Sequence, residues 1–213
     1  MTHPEPWPLR HLVLRTPRLE LRPDDDGGLH ELVEVAYGGV HDPAFMPFLT
    51  PWTDADPAFM GRGTLQHFWR ERATIAPERW TLNFLVRHEG RVLGMQGVIG
   101  HDFGALRTVG TGSWLGLAHQ GRGFGSEMRA AVLQFAFDHL GAREATSGAF
   151  ADNAASLAVS RKLGYRRNGE ITRLRRGEPA TEVLLRLRPA EFVRPSWVAQ
   201  VEGLAACRGL LGL

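Results

Sequence analysis

With 213 residues, 43% of them hydrophobic and 23% charged, the chain has enough apolar material for one domain with a sizeable core. A formal net charge of +2 gives no reason to expect a nucleic-acid partner, and a single cysteine, Cys207, rules out an internal disulfide framework. No stretch approaches the roughly 18 consecutive apolar residues of a membrane span, and the Pro-rich start has no apolar signal core, so no membrane and a reducing cytoplasm are expected.

In chain order, residues 1–11 read as an N-terminal tail. Residues 12–22 alternate around Leu12, Leu14, Leu19 and Leu21 and predict a strand or bent pair, interrupted at Pro17. Asp24-Asp25-Asp26 supplies acidic chemistry for a helix start, and Gly38-Gly39 stops that helix after Tyr37. Residues 40–57 carry four prolines together with Phe45, Phe48 and Trp52, a long aromatic connection suited to binding. A second helix is expected over 56–76, with Leu65, Phe68, Trp69 and Arg72 on one side. Residues 82–87 and 91–99 predict a hairpin around His88-Glu89-Gly90, and a further strand covers 107–117. The next helix runs to Leu140 and is capped by Gly141. A strand at 144–150, a helix at 153–163 closed by Gly164, and a hairpin of 166–173 with 182–188 complete the domain. Residues 189–213 begin at Pro189 and turn apolar, as expected of a helical extension that docks on the domain or joins copies in a homodimer or larger homo-oligomer. The order β-α-α-β-β-β-α-β-α-β-β places three consecutive strands mid-chain. That pattern predicts a mixed sheet with helices on its faces, in the α/β (α+β) class, and not a doubly wound fold.

The most informative segment is Gln120-Gly121-Arg122-Gly123-Phe124-Gly125, between that third strand and a helix marked by Met128, Ala131, Val132 and Phe135. Glycines there let backbone approach a ligand, and free N–H groups at the helix start favour an anion. A tight turn alone would also explain them. The spacing G-x-G-x-G fits neither the dinucleotide fingerprint nor the P-loop, which needs a lysine.

A second group of residues, Asn153, Ser156 and Leu163-Gly164-Tyr165, follows about 30 residues later. With the glycine run it resembles the GCN5-related N-acetyltransferase (GNAT) superfamily, whose signature is Q/R-x-x-G-x-G/A after the fourth strand, then N-x-x-S/A and a helix ending in L-G-F/Y. The opening Thr16-Pro17-Arg18-Leu19-Glu20-Leu21-Arg22 is similar to the first strand of its RimJ/RimL-like branch. The segments 46–54, 65–70 and 112–117 resemble an actinobacterial subgroup that includes users of succinyl-CoA. The resemblance covers residues 12–188. It implies a mixed, mostly antiparallel seven-stranded sheet with helices on both faces and a splayed central strand pair.

It further implies an acyl-CoA-dependent N-acyltransferase in which an amine attacks the thioester directly. The donor is acetyl-CoA or succinyl-CoA, with no metal. The diphosphate would meet N–H groups of Gly121, Arg122, Gly123, Phe124, Gly125 and Ser126, with side-chain contacts from Gln120 and Arg122. Pantetheine would pair with Trp114, Leu115, Gly116 and Leu117 like an added strand, and an N–H near 115–117 would polarise the carbonyl. Asn153 is either a cofactor contact or a helix cap, and Arg161 or Lys162 either meets the 3′-phosphate or faces solvent. Ser156 is the candidate acid for the leaving thiolate. For the base the candidates are Glu170, Glu178, Glu182, His101 and Asp102, with Glu182 preferred. Tyr165 reads as core. The acceptor pocket is placed between the 40–57 connection and the 173–180 turn, lined by His41, Asp42, Phe45, Phe48, Trp52 and Asp54. Arg173, Arg175 and Arg176 either recognise a carboxylate or form a solvated turn. The acceptor amine is a small molecule or a protein N-terminus. Two other classes compete: a non-catalytic acyl-CoA sensor, which needs no base, and a nucleotide-dependent ligase or kinase.

Overall fold

The structure, a computed structural model, describes residue 3 and residues 5–213. Its strands are β1 (Val13–Arg15), β2 (Glu20–Pro23), β3 (Arg79–His88), β4 (Arg91–His101), β5 (Thr108–Leu115), β6 (Glu144–Phe150), β7 (Arg166–Arg175), β8 (Glu178–Leu187) and β9 (Gln200–Glu202). Its helices are α1 (Asp26–Tyr37), α2 (Pro57–Ala73), the short α3 (Phe103–Leu106), α4 (Phe124–Gln134), α5 (Ala154–Lys162) and the short α6 (Leu204–Cys207). The expected bent pair is β1 and β2, and the expected hairpins are β3–β4 and β7–β8.

All nine strands form one sheet, in the order β7-β8-β6-β5-β4-β3-β2-β1-β9. The expected seven strands become nine because the first strand is two and the C-terminal extension adds β9. Every neighbouring pair is antiparallel except β5 and β6. Those two register only at Thr108–Glu144, Val109–Ala145 and Gly110–Thr146, although they continue to Leu115 and Phe150. A wedge therefore opens between them, and this is the splayed central pair.

The middle strands are buried on both faces, so side-chain alternation divides them between two cores. Leu82, Phe84 and Val86 of β3 join Phe124, Met128 and Phe135 of the α4 segment, with the Phe84 and Phe135 rings 6.0 Å apart. Leu85 points the other way, to Leu29 and Leu32 of α1 and Phe68 of α2. Side-chain oxygens cap α1, α2 and α5, from Asp25, Asp56 and Asn153.

Residues 189–213 dock on the domain through β9, the short α6 and two single turns instead of one long helix. β9 pairs with β1, the Trp80 Nε1–H donates to the Leu211 carbonyl at 3.1 Å, and Cys207 and Leu211 are fully buried. Each such apolar burial stabilises by about 1.5–3 kcal/mol, which is why this apolar tail folds back onto its own core. The predicted tail likewise ends early, since Leu9, in a turn at Pro8–His11, belongs to the same core.

Candidate active site

The wedge between β5 and β6 opens into a cleft of about 760 Å³. It is lined by Trp114, Leu115 and Leu117 on one strand end, by Gly121, Gly123, Gly125 and Ser126 at the start of α4, and by Asn153 and Ser156 of α5. His41, Phe45 and Phe48 of the long connection and Glu182 of β8 close it. Residues spaced over most of the chain thus meet in one cavity.

The floor near α4 is backbone. Gly121 and Gly123 have φ values of 72° and 83°, a left-handed conformation that favours glycine. Unlike α1, α2 and α5, α4 has no side-chain cap, so its first N–H groups remain free for a ligand. The acidic side chain in its first turn, Glu127, is turned away and neutralised. Its carboxylate is 2.6 Å from Arg18 and accepts from the Thr16 hydroxyl at 2.6 Å. Arg18 lies 4.7 Å over the Phe124 ring and also donates to the Arg122 carbonyl at 3.1 Å.

Several expected contacts lie elsewhere. The Gln120 side chain donates to the carbonyls of Val40 and Leu115 at 2.7 and 2.8 Å, so its amide joins the long connection to β5 instead of reaching for phosphate. Gly116 and Leu117 direct their N–H groups to the carbonyls of Leu93 and Gly39 at 2.9 Å each, which leaves Leu115 as the remaining N–H of the three. The Phe124 side chain is buried in the core, so only its backbone faces the cradle. Arg122 and Lys162 are exposed, and neither they nor Gly116 line the cleft. The Asn153 side-chain oxygen accepts from the Ser156 N–H at 3.1 Å and is committed to capping.

The sheet separates two sides of this cleft. Ser113 and Ser147 point toward α4, where both meet Arg129. The neighbouring Trp114 and Gly148 face the opposite side. There the Trp114 ring lies 5.3 Å from Trp52, which lies 5.4 Å from Phe48, with His41 a further 5.6 Å along. The His41 Nδ1–H donates to the Asp42 carbonyl at 2.8 Å, and Nε2 faces the Thr53 hydroxyl at 2.6 Å. On the same side Glu182 lies over Gly148, where an added Cβ would meet its Oε1. Its Oε2 accepts from Arg173 at 2.9 Å, and no hydrogen bond among the described residues occupies Oε1. Trp52 and Asp54 stand behind this wall and do not line the cleft.

The β7–β8 turn holds the connection in place. Arg176 grips Asp54 through two bonds of 2.6 and 2.7 Å and donates to the Pro43 carbonyl at 3.0 Å. Arg175 does the same to Asp152, at 2.8 Å twice, and reaches the Met46 carbonyl at 3.3 Å. Hydrogen bonds from these arginines, followed by their charge, hold the Asp54 and Asp152 carboxyls below the usual range. All three expected carboxylate-binding arginines, at 173, 175 and 176, are therefore already paired with acidic side chains.

The profile described as an acetyltransferase (GNAT) domain matches residues 18–166. The chain belongs to the GNAT acetyltransferase family, and it is a GNAT-family N-acetyltransferase. Solved structures share the fold of this GNAT chain at low sequence identity. Mycobacterium smegmatis RimJ in complex with a coenzyme A disulfide superposes with a TM-score of 0.73 at 19% identity, covering 97% of this chain and 96% of its own. A RimL ribosomal-protein alpha-N-acetyltransferase with coenzyme A gives 0.65 at 16%, covering 81% and 95%. A spermidine N-acetyltransferase chimera built in part from the Vibrio cholerae enzyme gives 0.64 at 14%, covering 81% and 96%.

In this GNAT domain sequence reasoning missed Arg129. It is 4% exposed, yet it lines the cleft. An arginine inside a helix ordinarily reads as a solvated residue. Only its position, two residues before the apolar pair Ala131 and Val132, hinted at an inward face. Tyr165, expected as core, is buried, with its hydroxyl 3.1 Å from that of Thr111. Burial pushes its pKa up, against the nearby Arg129 charge, so the phenol stays protonated at neutral pH.

Proposed function

We propose that this chain transfers an acyl group from coenzyme A to a primary amine by direct attack in a ternary complex. The observation that carries this reading is the unpaired stretch of β5 and β6, a slot through the sheet with an uncapped helix start on one side and Glu182 on the other. The diphosphate sits on the N–H groups that begin α4, and pantetheine extends along Trp114 and Leu115. The Leu115 N–H polarises the thioester carbonyl. Glu182 Oε1 takes the proton from the ammonium, and Ser156 delivers one to the departing thiolate. Holding amine and thioester on opposite sides of one gap supplies the orientation that such a reaction needs.

The donor is acetyl-CoA or succinyl-CoA. For the acceptor, charge favours a single amine over a polyamine. Asp54, Asp152 and Glu182 on the acceptor side are each paired with an arginine, which leaves Asp42, bonded only to the Ala44 N–H among the described residues, as the carboxylate there that can meet a cationic group. A peptide or protein N-terminal amine, seated against Phe48 and His41, fits that wall.

Thiol release should be followed with acetyl-CoA and succinyl-CoA against N-terminal peptides, spermidine and small amines. Turnover with peptides above that with spermidine is expected. Binding of both thioesters without turnover on any amine would make the chain an acyl-CoA-binding domain instead. Thermal protection by ATP but not by coenzyme A would remove the acyl-CoA reading altogether.

A further inference from the structure

Arg129 is a charged side chain buried beside the cleft, and among the described residues no carboxylate pairs with it. Its NH2 donates to the Ser113 hydroxyl at 2.9 Å, NH1 to the Ser147 hydroxyl at 3.3 Å and Nε to the Gln96 side-chain oxygen at 3.3 Å. Every one of these oxygens is neutral. Tyr165, also within its reach, stays protonated. The other arginines around the cleft differ: Arg18, Arg173, Arg175 and Arg176 each hold a carboxylate. A buried guanidinium with neutral partners only is an expensive arrangement, and a hydrophobic side chain would fill the space at less cost. The cost is recovered when an anion enters.

The place defines the anion. Ser113 and Ser147 belong to the two strands that part, so the guanidinium lies across the narrow end of the wedge. It is on the α4 side of the sheet, the side of the cradle and Ser156, and away from Trp114, Phe48 and Glu182. A group reaching Arg129 therefore arrives on the donor side, ahead of the thioester. Coenzyme A's phosphates are held back at the helix start. What remains is the far end of the acyl chain.

We propose that Arg129, with the Ser113 and Ser147 hydroxyls, is a carboxylate subsite that selects an acyl group derived from a dicarboxylic acid. This rests on the acyl-CoA reading above and names the donor class for the same site. A guanidinium suits it because its planar fork accepts a carboxylate through two bonds, which an ammonium does not do.

Calorimetric titrations of the full chain with acetyl-CoA, butyryl-CoA and succinyl-CoA separate the possibilities. Butyryl-CoA has the same number of acyl carbons as succinyl-CoA without the charge. Wild-type protein should bind succinyl-CoA at least about tenfold more tightly than butyryl-CoA. In Arg129→Met that ratio should fall to about one, with acetyl-CoA affinity within about twofold of wild type. Ser113→Ala, a smaller change, should lower the ratio in the same direction. Equal wild-type affinities, or a ratio that survives Arg129→Met, would overturn the subsite while leaving the acyl-CoA reading intact. Failure to bind any thioester would overturn both. A carboxylate delivered by the acceptor would show differently, as an Arg129-dependent KM for a carboxylated amine with acetyl-CoA as donor, and that result would also overturn the donor assignment.

Discussion

The two sides of the cleft are held by different forces. On the donor side, backbone groups at the start of α4 and the parting of β5 from β6 create the space, and both follow from the main-chain path. On the acceptor side, the connection between α1 and α2 has little regular structure beyond a turn at Trp52–Asp54. Aromatic stacking and two arginine clamps from the β7–β8 turn hold it instead. Exposed ion pairs of this kind are individually weak and salt-sensitive. A donor site set by the main-chain path thus faces an acceptor wall held mainly by side chains.

Substitutions can break or sharpen this contrast. The largest effect is expected for Glu182→Gln, which should lower kcat by roughly 10²- to 10⁴-fold while leaving coenzyme A affinity unchanged in titrations. Equal kcat would move the base to another group. Gly123→Val forces a β-branched residue into a left-handed conformation and against Arg18, 3.4 Å from an added Cβ. Coenzyme A affinity should weaken about 10- to 100-fold, with acceptor KM little altered in the enzyme saturated with donor. Ser156→Ala should reduce kcat about tenfold without changing the Kd for coenzyme A; full activity would make the hydroxyl a bystander.

The clamps provide the smallest effects. Asp54→Asn should raise the acceptor KM about two- to fivefold and leave coenzyme A binding untouched, and added salt should narrow the difference. A pH series on stability tests the same pair. Arg176 depresses the Asp54 pKa in the folded protein, so the clamp contributes above the unfolded value, roughly pH 4, and is lost as pH falls through the depressed one. The difference in Tm between wild type and Asp54→Asn should be flat from about pH 5 to 8 and should shrink in more acid solution.

The donor side was the more legible in sequence because the main chain builds it. Gly121 and Gly123 report backbone conformation directly, and Asn153 reports a helix start, so local spacing carries the information. Glu182 was one carboxylate among several, because its place beside Phe150 depends on the register of β6 with β8, which no short motif encodes. The bonds of the Gln120 amide were not legible because its partners, Val40 and Leu115, come from a segment 80 residues away and from the strand just before it. The arginines at 175 and 176 looked available for the same reason, since their partners Asp152 and Asp54 are 23 and 122 positions away, and Arg173 meets Glu182 only through the pairing of β7 with β8. β9 is three residues long, too short for alternation to be seen.

The edge of the sheet has a consequence for how the molecule is assembled in time. β1 is flanked by β2, a few residues on, and by β9, whose Glu202 lies 187 positions from Arg15. Closing so long a loop carries a large entropic cost that local pairings such as β3–β4 avoid. Without β9 the β1 strand would present a bare edge to which another chain can add. Cover for the β1 edge thus comes from β9, held by residues far in sequence from β1 and on the far side of the sheet from the cleft where the chemistry takes place.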